Sequence, residues 1–230
     1  MFDTLLLRNT KPESLRFLEI AYLWREVIKA NGITSLRPQD LFHARCESAM
    51  VAYRTAALLD GRREARYHDI LRLLCQYLGI DLGLVEAFTA IELDYEQCNL
   101  VGNHCLASQL NYLRQAGKRI VFASDMYLGK TEITMLLRNL LPEFRWDSGY
   151  VSSDIGLTKA EGTLYDHMCR NECTPPEFIR HIGDNWRSDV VTPTLRGFQA
   201  TYWPRRPLWR LMKGIRQWRF SKLIDHQVRP

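Results

Sequence analysis

The sequence contains no run of about 18 consecutive apolar residues, the length that a membrane-crossing helix requires. Its first residues do not form a signal-peptide pattern, because Asp3 and Arg8 interrupt the only apolar run there. There is no internal repeat and no low-complexity segment. The six cysteines (Cys46, Cys75, Cys98, Cys105, Cys169 and Cys173) are scattered, with no C-x-x-C pair, which argues against a disulfide framework or a dithiol redox motif. They are expected to be free thiols, most of them buried in apolar helical surroundings, as in a reducing cytosol. His104 and Cys105 have no companions at metal-ligand spacing, so no zinc site is expected. A cytoplasmic globular protein is the class that remains.

What is present is ordinary in amount and uneven in placement. Hydrophobic residues make up 46% and charged residues 25% of 230, enough for a core domain carrying an insert. The net charge of +5 is concentrated at one end, since residues 205–230 hold eight Lys or Arg and one Asp. The remainder of the chain is slightly acidic.

The opening Met1-Phe2-Asp3-Thr4-Leu5-Leu6-Leu7 reads as the end of a strand, a tight polar turn and an apolar exit. Thr10-x-x-Glu13 with Pro12 fits a capping box, and Phe17, Ile20, Ala21, Trp24, Val27 and Ile28 recur at helical spacing up to Asn31-Gly32. A second helix is predicted from Pro38 to Leu58, closed by Asp60-Gly61. Others follow from Glu64 to Leu78, Asp81 to Gln97 and Cys105 to Gln115. No strand is expected across this stretch, which reads as an antiparallel helical bundle.

The pattern changes after Gly117. Strands are predicted at Arg119–Ser124, up to Ser153, at Phe178–Ile182 and at Gln199–Trp203. Helices are predicted at Lys130–Leu140, Glu161–Arg170 and Ser188–Arg196. This alternation predicts a doubly wound parallel α/β sheet, with the opening strand as a member separated by the helical insert. The expected division is a core of 1–13 and 116–204, a helical cap of 14–115 and a basic tail of 205–230.

Each later strand runs into residues suited to phosphate. Ser124 offers a hydroxyl and is followed by Asp125-Met126-Tyr127-Leu128. Lys159 offers an ammonium after Ser152-Ser153-Asp154. Gly183-Asp184-Asn185-Trp186-Arg187-Ser188-Asp189 carries two carboxylates suited to a hard cation such as Mg²⁺. Ligands in open α/β sheets bind at these carboxyl ends.

Together, Phe2-Asp3-Thr4-Leu5-Leu6, Ser124, Lys159 and Gly183-Asp184-x4-Asp189 resemble the haloacid dehalogenase (HAD) superfamily of phosphohydrolases, over about residues 1–203. The long helical insert resembles that superfamily's cap. Phe2-Asp3-Thr4-Leu5-Leu6-Leu7-Arg8 and Ser124-Asp125-Met126-Tyr127-Leu128 are similar to a branch of predicted hydrolases, some fused to glycosyltransferases.

The resemblance implies a Mg²⁺-dependent hydrolase of a small phosphorylated substrate, working through an aspartyl-phosphate. Ser124 and Lys159 would hold the phosphoryl oxygens. Asp184, Asp189 and the Phe2 carbonyl would bind Mg²⁺. Thr4 would fix the turn, and Asp125 and Arg45 would contact substrate, with Phe42 and Glu47 beside Arg45 in the cap. His181 reads as a satisfied core histidine.

One element departs from the pattern. In the superfamily's Asp-x-x-x-Thr, counting back from Thr4 passes Asp3, Phe2 and Met1 and reaches the position before this sequence. Three readings stand: a start upstream of Met1, a catalytically dead binding or partner module working beside a glycosyltransferase in polysaccharide synthesis, or Asp3 serving in an altered geometry. Asp3 falls where many relatives have glycine.

In the tail, Leu208, Leu211, Met212, Ile215 and Trp218 share one helical face, with Arg206, Arg210, Lys213, Arg216 and Arg219 around them. Such a helix can lie at an anionic membrane surface, making the protein peripheral, or dock on another domain or protein. It could also contact a nucleic-acid backbone, but no recognised nucleic-acid module accompanies it.

Overall fold

The computed structural model of the chain describes residues 1–59 and 64–227. Asp60-Gly61, expected to close the second helix, lie outside the described residues, as do 228–230. Among the described residues no helix is long and apolar enough to cross a membrane.

The elements run β1 (Leu6–Arg8), α1 (Glu13–Ala30), α2 (Pro38–Leu59), α3 (Tyr67–Leu78), α4 (Leu84–Asn99), β2 (Leu100–Gly102) and α5 (His104–Gln115). Then follow β3 (Val121–Ser124), α6 (Lys130–Leu140), β4 (Ser148–Val151), α7 (Ser152–Ile155) and α8 (Thr163–Asn171). The chain finishes with β5 (Arg180–Gly183), α9 (Thr192–Leu195), β6 (Gln199–Tyr202) and α10 (Pro207–Gln227).

Helical periodicity in α1 buries Ile20, Ala21, Trp24 and Ile28 on one face. Trp24 stacks on Phe88 of α4 at 4.9 Å between rings and donates its indole N–H to the Phe88 carbonyl at 3.1 Å. That bond satisfies the one polar atom of a fully buried aromatic. The capping box does not form: Pro12 occupies the N-cap with no side-chain hydrogen bond. The chain ahead of it is instead held by an Asn9 side chain accepting from Lys11 N.

Two helices start later than their sequence suggests, each because a backbone N–H is spent elsewhere. Tyr67 N donates to the Tyr127 carbonyl across the fold, which sets the start of α3. Asp81 accepts from Gly83 N and delays α4 to Leu84.

The opening strand requires correction. Residues 1–6 form a turn in which the Met1 carbonyl accepts from Leu5 N at 2.9 Å and Leu6 N at 3.2 Å. The strand follows that turn, and β1 pairs antiparallel with β2 rather than joining the parallel set. β2 itself was not anticipated, since three residues after a long helix carry no alternation to read. The parallel character holds for the later strands: β3 pairs with β4 and β5 with β6, both in parallel.

Other boundaries shift modestly. Ser152 and Ser153 leave the strand and begin α7, and Pro176–Phe178 form a 3₁₀ turn before β5. The helix expected at Ser188–Arg196 splits into a π-helical turn, Trp186–Val191, and α9. The cysteines also depart from expectation: all six are free, but only Cys75 is buried, while Cys98, Cys105 and Cys173 are exposed. Being on a helix did not place Cys98 or Cys105 on its inner face, and Cys173 lies beyond the end of α8.

Gly102 shows how tightly β2 is seated. A Cβ there would lie 2.5 Å from the Leu140 carbonyl oxygen and from Leu141 Cδ2. Backbone cannot yield as a side chain can, so Gly102→Ala is expected to cost about 1–3 kcal/mol of stability. The urea midpoint of that variant tests this, and an unchanged midpoint would show that β2 is not held against α6.

Candidate functional site

The opening turn and the end of β5 meet across nearly the whole chain. Thr4 Oγ1 donates to Asp184 Oδ1 at 3.1 Å. The turn is pinned from the other side, where Asn103 donates its backbone N–H to the Leu5 carbonyl and its side-chain amide to the Thr4 carbonyl. Asp3 sits at φ 59°, the left-handed region that favours glycine. Its Oδ1 accepts from Arg8 N at 3.2 Å and from Arg205 Nη1 at 3.3 Å, and Lys213 Nζ stands 3.8 Å from Oδ2. These partners hold the Asp3 carboxylate on the turn and the tail.

Lys159 is a buried cation with a built setting. Its Nζ donates to Asp189 Oδ1 at 2.6 Å, and His181 Nε2 reaches the same oxygen at 3.0 Å. Asn185 N donates to the second oxygen, Oδ2, at 3.0 Å. Gly183 makes room for this, since a Cβ there would lie 2.3 Å from Asp189 Cγ. Burial alone would raise the Asp189 carboxyl, but the His181 hydrogen bond and the Lys159 charge outweigh it and hold it well below the usual carboxylate range. Burial likewise lowers the His181 imidazole below its ordinary value, so it serves Asp189 as a neutral N–H donor.

The backbone of Lys159 is fixed separately. Asp125, next to Ser124 at the end of β3, accepts from Lys159 N at 2.8 Å and from Ala160 N at 3.2 Å. The loop after β3 is also tied to the start of α7, where Ser152 Oγ accepts from Met126 N and Ser153 Oγ donates to the Leu128 carbonyl. Ser124 is buried, and among the described residues its hydroxyl makes no hydrogen bond.

Asp184 differs from Asp189. It is half-buried, and among the described residues Thr4 is its hydrogen-bond donor. Burial, with Asp3 and Asp189 nearby, raises its carboxyl, while the Thr4 bond acts in the opposite sense. The Phe2 carbonyl accepts none of the turn's backbone hydrogen bonds.

As a cation site this donor set is small: one carboxylate without a fixed cationic partner, one free carbonyl, and among the described residues no group of three or more His, Cys, Asp or Glu arranged for a metal. That composition suits a hard ion that takes one or two protein oxygens and completes its shell with water and phosphate, as Mg²⁺ does. It does not suit zinc.

Arg45 occupies a different place from the strand ends. It is 1% exposed, with its guanidinium 4.7 Å from the Phe17 ring and 5.0 Å from the Tyr127 ring, and 3.6 Å from Glu92. Glu92 accepts from the hydroxyls of Tyr67 at 2.7 Å and Tyr127 at 2.9 Å. Tyr127 belongs to the loop after Ser124, so this cluster joins the inserted helices to the site loop. Phe42 is buried near it and Glu47 is exposed.

The structure therefore brings Thr4, Asp184, Lys159, Asp189 and Asp125 into one bonded region beside Ser124. Sequence reasoning missed the support given by Asn103, Asn185 and Arg205. Polar loop residues of that kind carry no spacing signal that would have revealed it. A surface depression lined by Lys130, Arg138, Arg145, Asp147 and Ser148 lies apart from these strand ends.

No protein-family model matches the sequence, and no curated protein matches it. Solved structures do. A 2-haloacid dehalogenase from Pseudomonas syringae pv. Tomato DC3000 superposes at a TM-score of 0.56 and 16% identity, covering 94% of this chain and 97% of that one. An L-2-haloacid dehalogenase superposes at 0.50 and 15% identity, covering 94% and 95%. A HAD-hydrolase from Bacillus subtilis, solved bound to magnesium, aligns at 0.49 and 16% identity, covering 92% and 96%. The chain has the α/β fold of the haloacid dehalogenase superfamily with a helical cap.

Removing the Asp189 carboxylate leaves the Lys159 ammonium buried without its counter-charge. Asp189→Asn is expected to lose about 3–5 kcal/mol in urea denaturation, and a Lys159→Met/Asp189→Asn double variant to lose less. A single variant that unfolds at the wild-type midpoint would show that the pair contributes nothing to stability.

Proposed function

We propose that this site serves Mg²⁺-dependent hydrolysis of a phosphomonoester, a small phosphorylated metabolite selected beneath the helical cap. The observation that carries the reading is the combination of a buried, braced ammonium at Lys159 with an open carboxylate at Asp184. A phosphoryl dianion calls for both, a fixed cation for its oxygens and an anchor for a second cation.

Each residue has a defined task. The free Ser124 hydroxyl donates to one phosphoryl oxygen. Lys159 Nζ neutralises the charge that spreads over the equatorial oxygens, and its bond to Asp189 spares it reorganisation during reaction. Asp125 keeps the Lys159 backbone in place, and Thr4 orients Asp184. Mg²⁺ would be held by Asp184 and the Phe2 carbonyl, and when bound it supplies positive charge to the transferring group. A halide leaving group on a monocarboxylate needs no such cation, which favours phosphate over the substrates of the dehalogenases.

In-line attack requires a carboxylate at the position immediately before Met1, because the carboxylates of Asp3 and Asp189 are engaged by other partners. A polypeptide beginning at Met1 is accordingly expected to hold phosphate and Mg²⁺ without turnover. That behaviour is the second reading, a binding or partner module beside a glycosyltransferase.

The test compares two proteins, one beginning at Met1 and one extended by a short apolar strand ending in Asp directly before Met1. The extended protein is expected to release phosphate from p-nitrophenyl phosphate or acetyl phosphate only with Mg²⁺, and the shorter one not to. Lys159→Met in the extended protein is expected to lower kcat by about 10²–10³-fold. A folded extended protein that is inert towards both phosphate compounds, or that releases chloride from 2-chloropropionate without Mg²⁺, would refute the phosphatase reading.

A further inference from the structure

We propose that α10 is a surface-binding helix that holds this protein on an anionic lipid bilayer. The inference does not depend on the proposed chemistry. It rests on how the helix is attached, what its free side carries and which partner its charge permits.

Among the described residues, attachment is confined to the beginning of the helix. Trp209 Nε1 donates to the Arg8 carbonyl at 3.0 Å, and Arg205 Nη2 donates to the same oxygen at 3.1 Å. Arg205 and Lys213 bracket the Trp209 ring at 4.3 and 4.8 Å, and both reach Asp3. Beyond Lys213 no described side chain of α10 forms an ion pair or hydrogen bond with the body. The bond from Ser221 Oγ to the Trp218 carbonyl is internal to the helix. One side of the first turns is thus clamped to the opening turn, and the rest projects.

The free side is apolar, and among the described residues no element covers it. Leu208 is 71% exposed, Leu211 61% and Trp218 63%, with Met212 and Ile215 between them also open to solvent. At three- and four-residue intervals these side chains form one continuous stripe. Arg219 and Lys222 continue the same face beyond Ile215. Gly214 lies in a shallow groove with Leu211, Ile215 and Trp218, and a Cβ there would meet nothing within 4 Å. Packing within the fold therefore does not call for a glycine, although glycine weakens a helix.

Charge selects the occupant. Residues 205–222 carry seven Lys or Arg and no acidic side chain. A second copy laid along the stripe would bring two such sets together, so self-pairing is opposed. A bilayer with anionic headgroups accepts both features: the apolar stripe sinks to the acyl boundary, and the long basic side chains reach up to phosphates. Trp218 suits this boundary because its ring is apolar and its N–H is wet. Since the clamp is made at Asp3, within the turn that also carries Thr4, and at Arg8 in the strand that follows it, a membrane-bound α10 would hold the candidate site close to the bilayer.

The test is flotation of the full chain with vesicles of phosphatidylcholine, with or without about 30% phosphatidylglycerol, in about 0.1 M salt. Binding is expected to be at least about tenfold greater with the anionic lipid and to fall at about 0.5 M salt. Leu211→Asp/Ile215→Asp, at exposed positions, should abolish flotation while leaving circular dichroism and the thermal transition unchanged. Arg216→Glu/Arg219→Glu should weaken flotation in the same way. Equal flotation with neutral vesicles, or none with either, would overturn the proposal. So would retention by the Leu211→Asp/Ile215→Asp variant, which would mark a general polyanion site, and so would a lipid-free dimer that this variant dissociates.

Discussion

Everything at the carboxyl ends of the strands depends on one buried ion pair, Lys159 with Asp189. An ammonium enclosed by protein is costly unless its counter-charge is close and fully hydrogen-bonded. Here Asp189 receives Lys159 and His181 on one oxygen and Asn185 N on the other, with Gly183 leaving the space. The consequence is a division of labour between two carboxylates five residues apart. Asp189 is consumed in holding the cation, and Asp184 is left open. Both had been expected to ligate Mg²⁺, and only geometry distinguishes them.

A second constraint is the opening turn. Asp3 adopts a left-handed conformation that costs a non-glycine residue energy, and the cost is met by fixing its carboxylate with Arg8 N and Arg205. Because the turn also carries Thr4, the same few residues set the position of Asp184 and the attachment of α10. The turn thereby links the candidate site to the tail.

The inserted helices are joined to the core by a third polar cluster. Glu92 takes hydroxyl bonds from Tyr67 and Tyr127 and stands beside Arg45, while Tyr67 N donates to the Tyr127 carbonyl. Arg45 had been expected to contact substrate. Enclosed by aromatic rings, it acts instead on the loop that follows Ser124. Movement of the helices relative to the core would have to break or carry this cluster, so the helices and that loop are mechanically coupled.

Local pattern was enough to specify the alternation of helices and parallel strands, the long helical insert and the order of Thr4, Ser124, Lys159 and Asp184, because each depends on neighbours within a turn or a strand. Helix starts at Tyr67 and Leu84 were misread where a single long-range or side-chain bond overrode periodicity. Strand β2 was invisible because three residues carry no period. What only the tertiary structure decided were pairings between distant segments: Thr4 with Asp184, Arg205 with Asp3, Glu92 with Tyr127. Residue type announces that a carboxylate or a cation needs a partner. It does not say which one folding will bring within hydrogen-bond reach, because that choice is made by the packing of the whole chain.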